Sequence, residues 1–195
     1  MGNYSAHIEK SAISAMPTVA FEGRIITIDT VDATEKAVNA LWNEKIVGID
    51  TETRPSFRKG VQYSVSLLQI STADTCFLIR LNRVGMPEPL IKLLERKEII
   101  KVGLSLHDDY QALSKRHKFK AGGFLDLQKH VGGYGIEEMS LQKIFAIIFG
   151  KRISKSQQLT NWENDVLTDK QKLYAATDAW ACLEIYNKLE QTKQE

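Results

Sequence analysis

The chain has 195 residues, 43% of them hydrophobic and 26% charged, with a formal net charge of +2. That is ordinary for a soluble globular protein and long enough for one domain with a sizeable core. So balanced a charge neither demands nor forbids a polyanionic partner. The two cysteines, Cys76 and Cys182, lie too far apart in sequence to mark a disulfide framework or a paired metal-ligand spacing, so two free thiols in a reducing compartment are expected.

The first twenty or so residues hold no sustained apolar stretch, which excludes a secretory signal or a membrane span there. "MGNYSA" opens like a myristoylation site but has Ala6 where Ser or Thr is required. A loose tail over residues 1–21 and a cytoplasmic location are the expectations. "GRIITIDT" (23–30) alternates and reads as a strand. Asp32 or Thr34 is then placed to cap a helix running through "EKAVNALWNE". "KIVGIDTE" (45–52) is a second strand. "SVSLLQIS" and "TCFLIRL" are two more, joined by the polar link "TAD", whose hairpin length predicts three antiparallel neighbours. "EPLIKLLERK" is helical, with Pro87 and Pro89 at its start, and "IIKVGLS" is a short strand. "HDDYQALSKRHK" has helical spacing, with Tyr110, Leu113 and His117 on one side. "GGFLDLQ" reads as a strand and "SLQKIFAIIFG" as a helix closed by Gly150. A polar loop leads to a long helix from Thr168, with Gln171 placed for a capping box. Strands followed by alternating helix and strand predict one α/β domain with a mixed sheet and helices on its faces.

The segment "IVGIDTET" (46–53) ends an apolar run in two carboxylates. Residues i and i+2 of a strand share a face, so Asp50 and Glu52 project together. Two ionised carboxylates side by side repel unless a cation or hydrogen-bond donors offset the cost. A strand simply ending in water would look the same. Asp178 sits in the largely apolar "LYAATDAWACLEIY", one helical turn after Tyr174. If that helix packs, the carboxylate needs a partner, and a hydrogen-bonded core Asp would meet that need as well. Asp108 and Asp109 open a helix, where acids stabilise the first turn through its free N–H groups. Together the three places offer what hard divalent cations take. Two such cations about 4 Å apart can activate a water and stabilise the leaving oxygen of a phosphodiester.

"DTE" at 50–52, Asp109 after "KVGLSLHD" and "YAATD" at 174–178 resemble the three exonuclease motifs of the DEDD superfamily. Tyr174, four residues before the last Asp, places the resemblance in the DEDDy branch, nearest to the ribonuclease D and Werner-type exonuclease domains. It covers roughly residues 22–190, and "QLTNWEND" before the last helix is similar to the corresponding segment of these enzymes. The resemblance implies an RNase H-like mixed sheet with helices on both faces, and an exonuclease domain over residues 22–195. It implies hydrolysis of single-stranded RNA or DNA from the 3′ end, releasing nucleoside monophosphates with two divalent cations, Mg²⁺ or Mn²⁺. Carried over by motif position, Asp50, Glu52, Asp109 and Asp178 would bind metal, and Tyr174 would orient or help deprotonate the attacking water. A phenol titrates near ~10, so deprotonation assisted by metal is favoured over Tyr acting alone. Asp109 rather than Asp108 fits, six residues after Gly103. Many members carry an Asn four residues before this Asp and an aromatic just before it; here those positions are Ser105 and Asp108.

Lys151, Arg152 and Lys155 in "KRISKSQQLTNW" are candidate phosphate contacts, while the basic run "SKRHKFK" (114–120) is read as a solvated surface. Trp162 either stacks on a base or anchors the loop. Thr51, Thr53 and His107 adjoin the motif acids and are expected at the nucleotide pocket. "FGKRIS" lacks the first Gly of a P-loop. The four histidines are scattered, which leaves no Ser–His–Asp arrangement, and His117 and His130 are expected at the surface. Two other readings remain: a nucleic-acid-binding module of the same fold without turnover, and an adaptor acting through the tail or the apolar helix "LQKIFAIIFG". No residue can be assigned to reading the 2′-OH. No helicase or accessory binding domain is recognised, so reliance on an accessory protein partner is a further expectation.

Overall fold

The computed structural model describes residues 4–193. Strands β1 (Arg24–Ile28), β2 (Ile46–Thr53), β3 (Val65–Ser71), β4 (Thr75–Ile79), β5 (Ile100–Gly103) and β6 (Phe124–Asp126) form one sheet in the order β1-β4-β3-β2-β5-β6. The β3–β4 pair is antiparallel, as the short "TAD" link requires, the β2–β3 pair is antiparallel too, and the other pairs are parallel. Every residue of β3 is buried, the polar Ser66, Gln69 and Ser71 included.

The helices are α1 (Lys10–Ser14), α2 (Val31–Leu41), α3 (Leu81–Val84), α4 (Glu88–Glu95), α5 (Leu106–Arg116), α6 (Leu127–His130), α7 (Leu141–Phe149) and α8 (Asp169–Thr192). Ala37, Val38 and Leu41 of α2, Leu90, Leu93 and Leu94 of α4, and Leu106 and Leu113 of α5 pack on one face of the sheet. Helices α7 and α8 cover the other. This is the mixed sheet with helices on both faces expected of an RNase H-like domain. No helix among the described residues is long and apolar enough to cross a membrane.

Helix α2 starts earlier than its sequence implied. Its N-cap is Thr30, whose side chain accepts from the Ala33 N–H at 3.2 Å. Thr34, buried inside the helix, donates its hydroxyl to the Thr30 carbonyl instead. Helix α8 starts as expected, with the complete capping box between Thr168 and Gln171. Helix α7 ends at Gly150, whose φ of 61° is left-handed. Helix α5 stops at Arg116, so His117 lies beyond it, exposed, while Tyr110 and Leu113 pack inward as predicted.

Residues 4–21, expected as a loose tail, pack against the body. Ile13 and Phe21 are buried. The Val19 N–H donates to the Arg152 carbonyl at 2.9 Å, and the Phe21 N–H donates to the Thr177 hydroxyl at 3.1 Å. The few apolar residues spaced along this polar segment are too sparse to register as an element, yet each finds a site on the α8 side. Residues 1–3 lie outside the described residues.

The approach of α8 to the sheet positions the site. Ala175, Ala176 and Ala179 are fully buried against it, and a Cβ on Gly48 of β2 would overlap the Ala179 carbonyl oxygen. Gly48→Ala is therefore expected to cost about 3 kcal/mol or more. The measurement is thermal melting, and an unchanged Tm would show that the helix can retreat.

Candidate active site

Strand β2 outruns its neighbour. Its pairing with β5 stops at Gly48↔Val102, whereas its pairing with β3 runs on to Thr53. From Ile49 onward one edge of β2 is unpaired, and the acids lie on this stretch. Asp50 and Glu52 share the face that α8 covers. Asp178 comes down from α8, and one carboxylate oxygen from each of the three lies within 4.8 Å of the others. Glu52 and Asp178 are each only 8% exposed. The expected juxtaposition of the first and third acidic places is thus present.

The electrostatics of this trio are unfavourable by themselves. Burial, then the charges of Asp109 and Asp178, push Asp50 well above the usual carboxylate range. Burial, then Asp50 and Asp178, does the same to Glu52. Burial raises Asp178 to about 7, against hydrogen bonding from Tyr174 and the positive charge of Lys155. Lys155 is the one basic side chain lining the cleft of about 270 Å³ that holds the trio. Three buried carboxylates facing one lysine are short of positive charge, and their oxygen-only donor set suits a hard divalent cation. The residues present fit such an ion.

Asp109 lies outside that 4.8 Å cluster, yet near enough for its charge to act on Asp50. It comes from the first turn of α5 and accepts a hydrogen bond from the Thr51 hydroxyl. Thr51 alternates to the opposite side of β2 from Asp50 and Glu52, so it serves as the link between strand and helix. Burial raises Asp109 to about 6, with the Thr51 hydrogen bond opposing. Asp108, next to it, is exposed. Ser105, before α5, has a φ of 57°, the one non-glycine residue with positive φ among those described. Asn tolerates that left-handed conformation better than Ser, a physical reason for Asn to be common at this position in the family resembled.

Tyr174 is 7% exposed and lines the cleft with Asp178. Burial, then Asp178 and Glu52, raises its phenol far above the ordinary value. In the metal-free site its hydroxyl is therefore held protonated, able to donate and accept hydrogen bonds.

The remaining candidates divide. Lys155 lies at the cleft. Lys151 is exposed outside it, and the Arg152 guanidinium turns away to the Met16 carbonyl at 3.1 Å. Thr53 and His107 are not part of the lining; His107 is exposed and paired with Gln111 at 2.7 Å. Trp162 is fully buried, its ring 6.1 Å from that of Tyr174, so it anchors the loop from inside and base stacking by it is excluded. His130, expected at the surface, is half-buried, stacking on Tyr186 at 5.3 Å with its Nε2 3.1 Å from Glu190 of α8. Leu141, Ile147, Ile148 and Phe149 of α7 are half-buried against the core on the α8 side. Several cleft-lining residues were not anticipated, among them Cys182, Ser140 and Gln142. Cys182 follows Asp178 by one turn, so helical spacing could have found it. Ser140 and Gln142 arrive at the start of α7 through long-range packing, which leaves no local signal.

Residues 25–193 match the family model described as 3′–5′ exonuclease. This chain belongs to the 3′–5′ exonuclease domain family. The exonuclease domain is 31% identical over 196 residues to the mouse bifunctional 3′–5′ exonuclease/ATP-dependent helicase WRN, covering 94% of this chain but 14% of that protein. It is 31% identical to an Arabidopsis thaliana 3′–5′ exonuclease, covering 89% of this chain and 66% of the relative. The domain thus spans less than two thirds of either relative. Among solved structures, the Aedes aegypti Nibbler exonuclease domain superposes with a TM-score of 0.80 at 24% identity, covering 90% of this chain and 93% of that one. Escherichia coli RNase D gives 0.76 at 23% identity, covering 88% and 45%. These likenesses establish the fold.

Proposed function

We propose that this exonuclease domain is a catalytically active DEDDy enzyme that hydrolyses single-stranded RNA or DNA from its 3′ end, releasing nucleoside monophosphates. The observation that carries this is the buried carboxylate trio with Tyr174 one helical turn before Asp178. Relatives named as 3′–5′ exonucleases support it, as does a Trypanosoma brucei RNase D structure solved with RNA U12.

Asp50, Glu52 and Asp178 would hold two divalent cations, Mg²⁺ or Mn²⁺, with Asp109 completing the set. When bound, the cations supply Lewis acidity for water activation and charge neutralisation at the leaving oxygen. The chain's own groups do the rest. Tyr174, kept neutral, orients the attacking water through its hydroxyl. Lys155, on the cleft wall, places positive charge where a phosphate would lie. Thr51 holds Asp109 against the strand end, which keeps the α5 acid beside the others.

The test uses short single-stranded RNA and DNA, each labelled at the 5′ end, with Mn²⁺. EDTA and an Asp50→Ala, Glu52→Ala double variant are the controls. A ladder shortening from the 3′ end, absent in both controls, is the expected result. No ladder on either strand, or on a recessed duplex, would leave a nucleic-acid-binding module of the same fold.

A further inference from the structure

A second groove of about 490 Å³ continues from the acid cleft. Its lining includes Arg54, Phe57, Arg58 and Tyr63 from the segment after β2, and Leu159 and Asn161 from the loop before α8. The two hollows share both walls. Residues 50–52 line the first and 54–58 the second on one side; Ile153, Ser154, Lys155 and Gln158 line the first and Leu159 and Asn161 the second on the other. A strand whose 3′ end lies among the carboxylates has this groove as its continuation.

The groove's chemistry differs from that of the acid cleft. Phe57 is 84% exposed and Leu159 70% exposed, a cost that folding alone does not explain. The Arg54 guanidinium sits 4.7 Å over the Tyr63 ring and 3.3 Å from Glu163, which holds the ring in place. Arg58 and Lys59 are exposed beside Phe57. Exposed aromatic faces interleaved with cations are what a flexible polyanion with stackable bases requires. A peptide partner would not need this run of cations, and an apolar partner would be poorly served by it.

We infer that this groove is the track for the upstream single strand, in which Phe57 stacks on a base several nucleotides from the 3′ end and Arg58 contacts the backbone phosphate. The inference rests on the exonuclease reading. It makes turnover length-dependent, because a dinucleotide fills the acid cleft and leaves the groove empty.

The experiment compares kcat/KM for an octanucleotide and a dinucleotide of whichever sugar the wild type degrades faster, in wild type, Phe57→Ala and Arg58→Ala. Both side chains are exposed, so unchanged melting temperatures are expected. The octamer-to-dimer ratio should fall roughly 5- to 150-fold in Phe57→Ala, the range of one lost base–aromatic stack. In Arg58→Ala the slope of log affinity against log salt should shrink by about 0.7, one phosphate contact on a single strand. An unchanged ratio and slope would overturn the groove assignment while leaving the exonuclease intact. If the wild type hydrolyses neither substrate, the exonuclease reading fails, and anisotropy of a labelled octamer in Ca²⁺ decides the groove separately. Binding weakened about tenfold in the variants upholds it; equal binding overturns it.

Discussion

Asp178→Asn is expected to lower the rate of 3′-end hydrolysis by at least ~10³-fold while raising the melting temperature of the metal-free protein. The two effects have one origin. Asp178 is buried beside Asp50 and Glu52, and burial lifts its carboxyl from 3.8 to about 7. At pH 8 the folded protein must therefore hold a charge it would rather not carry. An isosteric amide removes that charge and with it one ligand of the site. The stability gained is roughly 1–4 kcal/mol, taking up to about 1.4 kcal/mol for each unit of the shift. That corresponds to about 2–15 °C for a chain of this size. Activity and a melting curve in EDTA at pH 8 read both effects. Retained hydrolysis would sink the assignment of Asp178; a lowered Tm would show the carboxylate to be a structural acceptor whose partner the amide cannot satisfy.

The wild type in EDTA should lose stability as pH rises from 5 to 8.5, and Mn²⁺ should restore it at the alkaline end. Asp50, Glu52, Asp109 and Asp178 all bind their protons more tightly in the folded state, because burial and mutual repulsion penalise the ionised forms. Between the unfolded value of 3.8 and the folded values, about 6 for Asp109 and about 7 for Asp178, the native state carries more protons than the unfolded one. Unfolding then releases protons, so ΔG of unfolding falls as pH rises through this window. This is opposite in sign to the usual salt-bridged carboxylate. A cation at about 100 times its Kd adds roughly 2.7 kcal/mol, or about 5–10 °C, at pH 8. At pH 5 it should add little, since protons then occupy the same oxygens. A Tm that is flat with pH in EDTA and unmoved by Mn²⁺ would refute the metal site.

Local chemistry made much of this protein legible in advance. The "TAD" link set the antiparallel pair of β3 and β4, Thr168 and Gln171 began α8, and Gly150 closed α7, because each rests on contacts within a few residues. The alternation of a strand put Asp50 and Glu52 on one face, and the turn of a helix put Tyr174 beside Asp178. What the sequence could not decide were the distances between those pieces. Asp50 and Asp178 are 128 positions apart, and they meet because Gly48 and three alanines let α8 lie close on β2. The choice between stacking and anchoring at Trp162, and the partial burial of His130, were settled in space, because exposure depends on which distant surface covers a residue. The packing of residues 4–21 was missed for the same reason: their few apolar side chains become buried on a surface that exists after the rest has folded. Periodicity and capping are properties of neighbours in sequence, so the chain determined its elements and the residue types of its site. Burial, the raised protonation of the acids and the groove beyond them arise from neighbours in space, and the tertiary structure alone decided those.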